Sequence, residues 1–168
     1  MLKFHVGAFL HKPEGAKEKF EINEALHFQD PADPKLLAPV IAQVEFLKLP
    51  HEINVHLKDV KTVARAQCSR CLSIFECPIH VPSASREFII DLPERELADK
   101  EEVSYVNKAT NEIDLSDMVR EEIILHFPTI SLCSASCKGL CDRCGTNLNE
   151  KICSCVHAQA PMNRIKIT

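Results

Sequence analysis

The sequence predicts an α+β protein: mainly an antiparallel β-sheet or partial barrel with one or two packed helices, followed by a cysteine-rich, zinc-binding C-terminal tail. Three observations predict it. Apolar residues alternate with polar ones at period two through much of the first half of the chain. A period near four replaces this alternation once, between Leu115 and Phe127. Eight of the nine cysteines fall into two groups, CSRCL at Cys68 to Leu72 and CSASCKGLCDRCGTNLNEKICSC from Cys133 to Cys155. The boundaries that follow are a β-rich body over 1–127, including a helix at 115–127, and a metal-binding tail over 128–168.

At 168 residues the chain fits a single structural domain with its own hydrophobic core, burying about 70% of the surface its unfolded form exposes. Leu2, Phe4, Val6 and Ala8 alternate with polar or small residues, as a half-buried strand requires. Val40, Ala42, Val44 and Phe46 repeat the pattern, and so do Ile53, Val55 and Leu57. Leu49-Pro50-His51 is a turn between these last two runs, so they form an antiparallel pair. Further strands are expected at Thr62 to Cys68, Ile74 to Val81 and Glu87 to Asp91, spaced too closely for the crossovers of a parallel sheet. In IDLSDMVREEIILHFP, Leu115, Val119, Ile123 and Phe127 share one helix face, Asp114 or Ser116 caps the start, and Pro128 stops it. Glu24 to Phe28 and Pro93 to Glu102 are weaker helix candidates, and the charged composition of Glu94 to Glu102 favours a solvated face or mobile loop.

The cysteines carry the strongest chemical signal. Cys68/Cys71 and Cys141/Cys144 are nearly the same knuckle, reading CSRC and CDRC, and a two-residue gap aims both sulfurs at one tetrahedral zinc ion with bonds of about 2.3 Å. Gly145 allows a sharp bend after the second pair. Arg70, Lys138 and Arg143 are placed in sequence to soften the double negative charge of a zinc ion held by four thiolates. A disulfide framework needs an oxidising compartment, and the first residues lack the apolar core of a secretory signal, so the expectation is a cytosolic chain with reduced thiols. A thioredoxin-like couple would sit at a helix N-terminus near a βαβ unit, which the pattern does not offer. An iron–sulfur cluster on Cys133, Cys137, Cys141 and Cys144 matches no common ferredoxin spacing.

The favoured zinc ligands are therefore Cys68, Cys71, Cys133, Cys137, Cys141, Cys144, Cys153 and Cys155. Cys77, on a strand-like run, is left over as a small core hydrophobe, and His157 is an alternative ligand. The expected division joins Cys68/Cys71 to Cys141/Cys144 at one ion and leaves Cys133, Cys137, Cys153 and Cys155 to hold a second, stapling the body to the tail. Alternatives keep the metal within the tail, with Cys68 and Cys71 a bare thiol pair, or leave some tail cysteines free.

Function classes narrow accordingly. There is no P-loop, GxGxxG, HExxH or GxSxG, the histidines are scattered, and a zinc ion surrounded by thiolates has no open position for substrate or water. The chemistry favours architecture over catalysis, with a thiol-disulfide enzyme or redox sensor built on the CxxC pairs as the alternative. No apolar run is long enough for a bilayer. The net charge is -4, yet from Ile123 onward two acidic residues stand against five basic ones, Lys138, Arg143, Lys151, Arg164 and Lys166. Lys138, Arg143 and Lys151, within the cysteine cluster, are candidate nucleic-acid contacts. The acidic Asp91 to Glu102 segment suits a basic protein.

CSRCL after a run of strands, then NEIDLSDMVREEIILHFP, then LCSASCKGLCDRCGTNLNEKICSC, resembles the YceD family, the large ribosomal RNA subunit accumulation proteins. The resemblance spans roughly Val40 to Cys155 and is carried by C-x-R-C-L, the EIDL-to-EEIIL helix and CKGLCxxCGxNLN. It implies a non-enzymatic ribosome biogenesis factor that supports accumulation or processing of 23S ribosomal RNA and production of large-subunit ribosomal proteins. The implied partners are large-subunit RNA precursor, ribosomal proteins, or both.

Overall fold

The computed structural model describes residues 2–91 and 104–155. Its elements in chain order are β1 (Lys3–His5), α1 (Gly7–Leu10), β2 (Lys17–Glu24), β3 (Val40–Lys48), β4 (Glu52–Gln67), β5 (Ile74–Ile89), β6 (Ser104–Tyr105), β7 (Glu112–Asp114) and α2 (Ser116–His126). They build an open five-stranded sheet in the order β2-β3-β4-β5-β6 and a two-stranded ribbon of β1 and β7. β2, β3 and β4 are antiparallel neighbours, whereas β6 lies parallel to β5, so the sheet is mixed. The expected mainly antiparallel sheet with packed helices is present, and among the described residues it does not close into a barrel.

The first half of β4 pairs with β3 as the alternation requires, Phe46 opposite Val55 and Val44 opposite Leu57. The apolar alternation changes phase between Ile53–Leu57 and Thr62–Cys68, which were expected as separate strands. The structure keeps one continuous strand by inserting a bulge: Ile41 faces Lys61 while Gln43 faces Lys58, one residue too many on β4. Asp59 takes up the extra residue at φ 54°. Burial accordingly passes from Ile53, Val55 and Leu57 to Val60, Thr62, Ala64 and Ala66 without the strand leaving the sheet. β5 likewise joins two expected runs, with Cys77, Ile79 and Val81 buried in its first half and Phe88 and Ile89 in its second.

Two further expectations are corrected, and one strand is new. The amino-terminal alternation ends early, since β1 stops at His5 and α1 places Val6 and Phe9, three residues apart, both in the core. Glu24 to Phe28 is not helical; β2 ends at Glu24 and irregular chain carries Leu26 into the core. β2 itself, KEKFEINE, has only Phe20 and Ile22 as apolar markers and gave little strand signal. It is an edge strand held by eight residues of pairing with β3, and its charges suit an edge that must not recruit another chain. Lys17 and Lys19 from β2 and Lys58 from β4 surround Glu45 on β3 at 3.3, 3.8 and 3.8 Å. The Lys17 hydrogen bond, followed by the charges of Lys17, Lys58 and Lys19, lowers the Glu45 carboxyl below its ordinary value.

α2 forms as its periodicity requires, with Leu115, Val119 and Ile123 fully buried. Asp114 Oδ1 accepts the Ser116 N–H at 2.9 Å, and Ser116 Oγ accepts the Leu2 N–H at 2.9 Å, tying the helix start to the amino-terminal segment. Phe127 turns to extended backbone immediately before Pro128, where proline disfavours helix. The core is one cluster that includes the inner sheet face, α1 and α2. At one end Phe4, Phe9, Phe20 and Phe46 stack edge to face and tilted, with ring centres 5.1–6.1 Å apart. The expected segment at Pro93 to Glu102 lies outside the described residues.

The chain divides into two compact units. The first contains the sheet, ribbon and helices, spanning Met1–Ala66 and Phe75–Thr129. The described part of the second is Gln67–Ile74, the turn between β4 and β5, together with residues 130–155.

Candidate metal centre

The described part of the second unit has little regular structure and is held by turns and side-chain hydrogen bonds. Its two knuckles are built alike. In the first, the Leu72 N–H returns to the Cys68 carbonyl at 2.9 Å and the Cys68 N–H donates to Ser73 O at 2.9 Å. In the second, the Gly145 N–H returns to the Cys141 carbonyl at 2.9 Å and the Cys141 N–H donates to Thr146 O at 2.8 Å. The residue after each second cysteine has a positive φ, 60° at Leu72 and 69° at Gly145. Glycine adopts this conformation at no steric cost, whereas leucine is strained there.

Eight sulfurs gather into two clusters, Cys68, Cys71, Cys133 and Cys137 in one and Cys141, Cys144, Cys153 and Cys155 in the other, each with all its sulfurs within 4.8 Å of one another. In the first, Cys68 Sγ lies 3.7 Å from Cys137 Sγ and Cys71 Sγ lies 3.6 Å from Cys133 Sγ. A disulfide would need about 2.05 Å. Four sulfurs at about 2.3 Å from one tetrahedral zinc ion stand about 3.8 Å apart. The donor set and its edge lengths therefore fit a tetrahedral, thiophilic cation.

This division corrects the one expected from sequence, which joined the two knuckles to each other. Two near-identical knuckles give no spacing rule for choosing partners; the surrounding backbone chooses. The Ser69 N–H donates to Ser131 O at 2.8 Å and Arg70 Nη1 donates to Cys137 O at 3.1 Å, drawing Cys133 and Cys137 onto the first knuckle. Gly139, at φ 77°, passes so close to this turn that a Cβ there would lie 3.3 Å from the Arg70 carbonyl oxygen. Cys153 and Cys155 instead fold back onto the second knuckle. A tail-only site thus exists for four sulfurs, but Cys68 and Cys71 are not a bare pair. Cys77 belongs to the first unit, buried on β5, where loss of hydration raises its thiol pKa.

Asn147 and Asn149 are structural residues that sequence reasoning noticed only as part of a motif. The Leu148 N–H donates to Gly139 O at 2.9 Å, and Leu140 and Asn147 form an antiparallel bridge around the second knuckle. Asn147 Oδ1 accepts from the Asn149 N–H and Nδ2 at 3.1 and 2.8 Å, while Asn147 Nδ2 donates to Ser73 Oγ at 3.3 Å. Asn149 Oδ1 accepts the Lys138 N–H at 2.8 Å, and Asn149 Nδ2 donates to Cys137 Sγ at 3.3 Å. NLN thereby links the loop carrying the second knuckle to a sulfur of the first cluster. An asparagine in a polar loop gives no such signal by itself.

Electrostatics within each cluster are uneven. Backbone N–H groups of Cys133 and Cys71 lower the Cys68 thiol to about 6, while the neighbouring Cys71 thiol and burial push Cys133 up to about 12. In the second cluster the Thr146 hydroxyl and backbone lower Cys144 to about 6, while Cys144 and burial push Cys155 up to about 12. Crowded sulfurs cannot all ionise unless a cation replaces the proton between them. Lys138, Arg143 and Lys151 are exposed in the same unit. Arg164, Lys166 and His157 lie outside the described residues.

Fold and site together define a mixed β-sheet protein bearing a compact unit with two four-thiol clusters, a candidate metal-binding module. No helix among the described residues is long and apolar enough to cross a membrane. The chain belongs to the YceD family, described as large ribosomal RNA subunit accumulation protein YceD, which matches residues 58–165. Its similarity to the chloroplastic large ribosomal RNA subunit accumulation protein YCED homolog 1 of Arabidopsis thaliana is 41% identity over 44 residues, 26% of this chain and 14% of that protein. The Zea mays protein of the same name is 44% identical over 48 residues, 28% of this chain and 16% of that protein. The chain thus matches only about one seventh of the length of these curated relatives. No solved structure matches.

Proposed function

We propose that this protein is a non-enzymatic ribosome biogenesis factor that supports accumulation of 23S ribosomal RNA and assembly of the large ribosomal subunit, with structural zinc in its cysteine-rich unit. The family match over 58–165 carries the proposal, because it takes in the first knuckle, α2 and the whole described cysteine region. Zinc, when bound, cross-links segments that otherwise have little regular structure. With all coordination positions taken by thiolates, such a centre has no place to activate water or substrate.

Lys138, Arg143 and Lys151 are the proposed contacts to large-subunit RNA precursor, each adding to the salt dependence of binding. Ribosomal proteins are the alternative direct partners. The place of action is the soluble compartment that holds the ribosomes, the cytosol or, as the names of the relatives state for them, a chloroplast.

Depletion of the protein tests this function. Mature large-subunit RNA should fall relative to small-subunit RNA, the protein should co-sediment with large-subunit precursors, and wild-type chain should restore the ratio. A normal subunit profile after depletion would overturn the proposal. Replacing Lys138, Arg143 and Lys151 by glutamate should weaken co-sedimentation if RNA is the direct partner, whereas unchanged sedimentation would exclude these three as the contacts.

A further inference from the structure

We infer that the two thiol clusters are non-equivalent zinc sites, the first retaining its ion and the second exchanging it with solution. This rests on reading both clusters as zinc sites. The chemistry of exchange supplies the reason. A zinc ion held by four thiolates leaves through stepwise ligand substitution, so an incoming chelator must reach the metal or a sulfur, and a thiolate must swing away. Both steps depend on exposure and on how firmly each ligand's backbone is held.

The first cluster resists both. Cys68, Cys71 and Cys137 are 0%, 5% and 4% exposed. Its four ligands come from two chain segments more than sixty residues apart, and these segments are fastened by the Ser69–Ser131 and Arg70–Cys137 hydrogen bonds. Asn149 also donates directly to the Cys137 sulfur. Cys133 is the single exposed ligand. Displacing it leaves three buried thiolates in place, and recapture of Cys133 is local.

The second cluster is open by comparison. Only Cys141 is buried, at 3% exposure; Cys144 is exposed and Cys153 and Cys155 are half-buried. Cys153 and Cys155 stand on residues 151–155, which form neither helix nor strand. All four ligands lie within one short stretch, so opening this site does not require separation of distant segments. Its ion can leave while the first cluster and the NLN hydrogen bonds keep their places.

The test uses full-length, zinc-loaded protein and EDTA in excess, with ions per chain followed by native mass spectrometry. Two ions should be present at the start, and one should leave roughly tenfold faster or more than the other, a difference of about 1.4 kcal/mol in barrier. Alkylation with N-ethylmaleimide after the fast phase, followed by peptide mapping, should label Cys141, Cys144, Cys153 and Cys155 while sparing Cys68, Cys71 and Cys137. The Cys144→Ser variant should begin with one ion and show the slow phase alone. Release of both ions with a single rate constant, or labelling of the first cluster ahead of the second, would overturn the inference while leaving the zinc reading intact. A protein that binds no zinc would overturn both.

Discussion

The division of the eight cysteines can be tested by paired substitution, because the observed grouping and the grouping of like knuckles give opposite counts. Serine replaces a thiolate donor with a hydroxyl that stays protonated at neutral pH and is a poor zinc ligand. The double variant Cys68→Ser/Cys133→Ser removes two donors from one observed cluster and none from the other. Two remaining thiolates cannot complete a tetrahedral site that in small zinc domains is worth ~10–16 kcal/mol, so one ion should be lost and one kept. Cys68→Ser/Cys141→Ser removes one donor from each cluster, so its second site should start empty, as in Cys144→Ser, and EDTA should strip the first site under conditions where the wild type keeps that ion. The magnitude rests on sulfur edges of 3.7 and 3.6 Å against about 3.8 Å for a zinc tetrahedron. These edges leave no room for the second knuckle, Cys141/Cys144, in the first cluster. Ions per chain, read by native mass spectrometry and elemental analysis, decide the matter. If Cys68→Ser/Cys133→Ser damaged both sites while Cys68→Ser/Cys141→Ser abolished one and spared the other, the grouping derived from the structure would be refuted.

Filling both sites at neutral pH should release at least two protons per chain, since Cys133 and Cys155 at about 12 are protonated without metal. Affinity should therefore fall as pH falls, and zinc titration in weakly buffered solution counts the protons. Leu72→Gly should leave the thermal midpoint of metal-loaded protein unchanged or raise it, because relief of left-handed strain of about 1–2 kcal/mol outweighs about 0.5–1 kcal/mol of added chain entropy. Gly145→Ala should lower the midpoint by the equivalent of about 1 kcal/mol. Phe46→Ala, which removes a fully buried ring packed against Phe4, Phe9 and Phe20, should cost about 3–5 kcal/mol in urea unfolding. The lowered Glu45 pKa means that its contribution is fully present above the ordinary value of 4.5 and is lost as pH falls through the folded-state pKa. Glu45→Gln should accordingly flatten the acid limb of the stability curve, and an unchanged limb would show that the three lysines contribute nothing there.

Local pattern was enough where each element's signal is contained within it. Burial of one face makes Val40–Phe46 alternate, and one apolar stripe makes Leu115–Phe127 repeat every four residues, so β3, the start of β4 and α2 were legible. The two knuckles, Cys68/Cys71 and Cys141/Cys144, were legible for the same reason, since CxxC is a local shape. β2 was not, because an edge strand needs few apolar residues and owes its existence to β3. The unity of β4 was hidden too, because the bulge at Asp59 reverses the alternation that marks a strand.

A β-rich core, one well-patterned amphipathic helix and eight cysteines suited to a soft cation follow from the order of residues alone. Which sulfurs meet is set by the folded chain. That choice depends on hydrogen bonds between residues more than sixty positions apart, from the Ser69 N–H to Ser131 O and from the Arg70 guanidinium to Cys137 O, and on the missing Cβ of Gly139, which lets its backbone approach the Arg70 carbonyl. Spacing fixes the reach of neighbouring sulfurs within a knuckle, whereas closure of a long loop is settled by the packing around it.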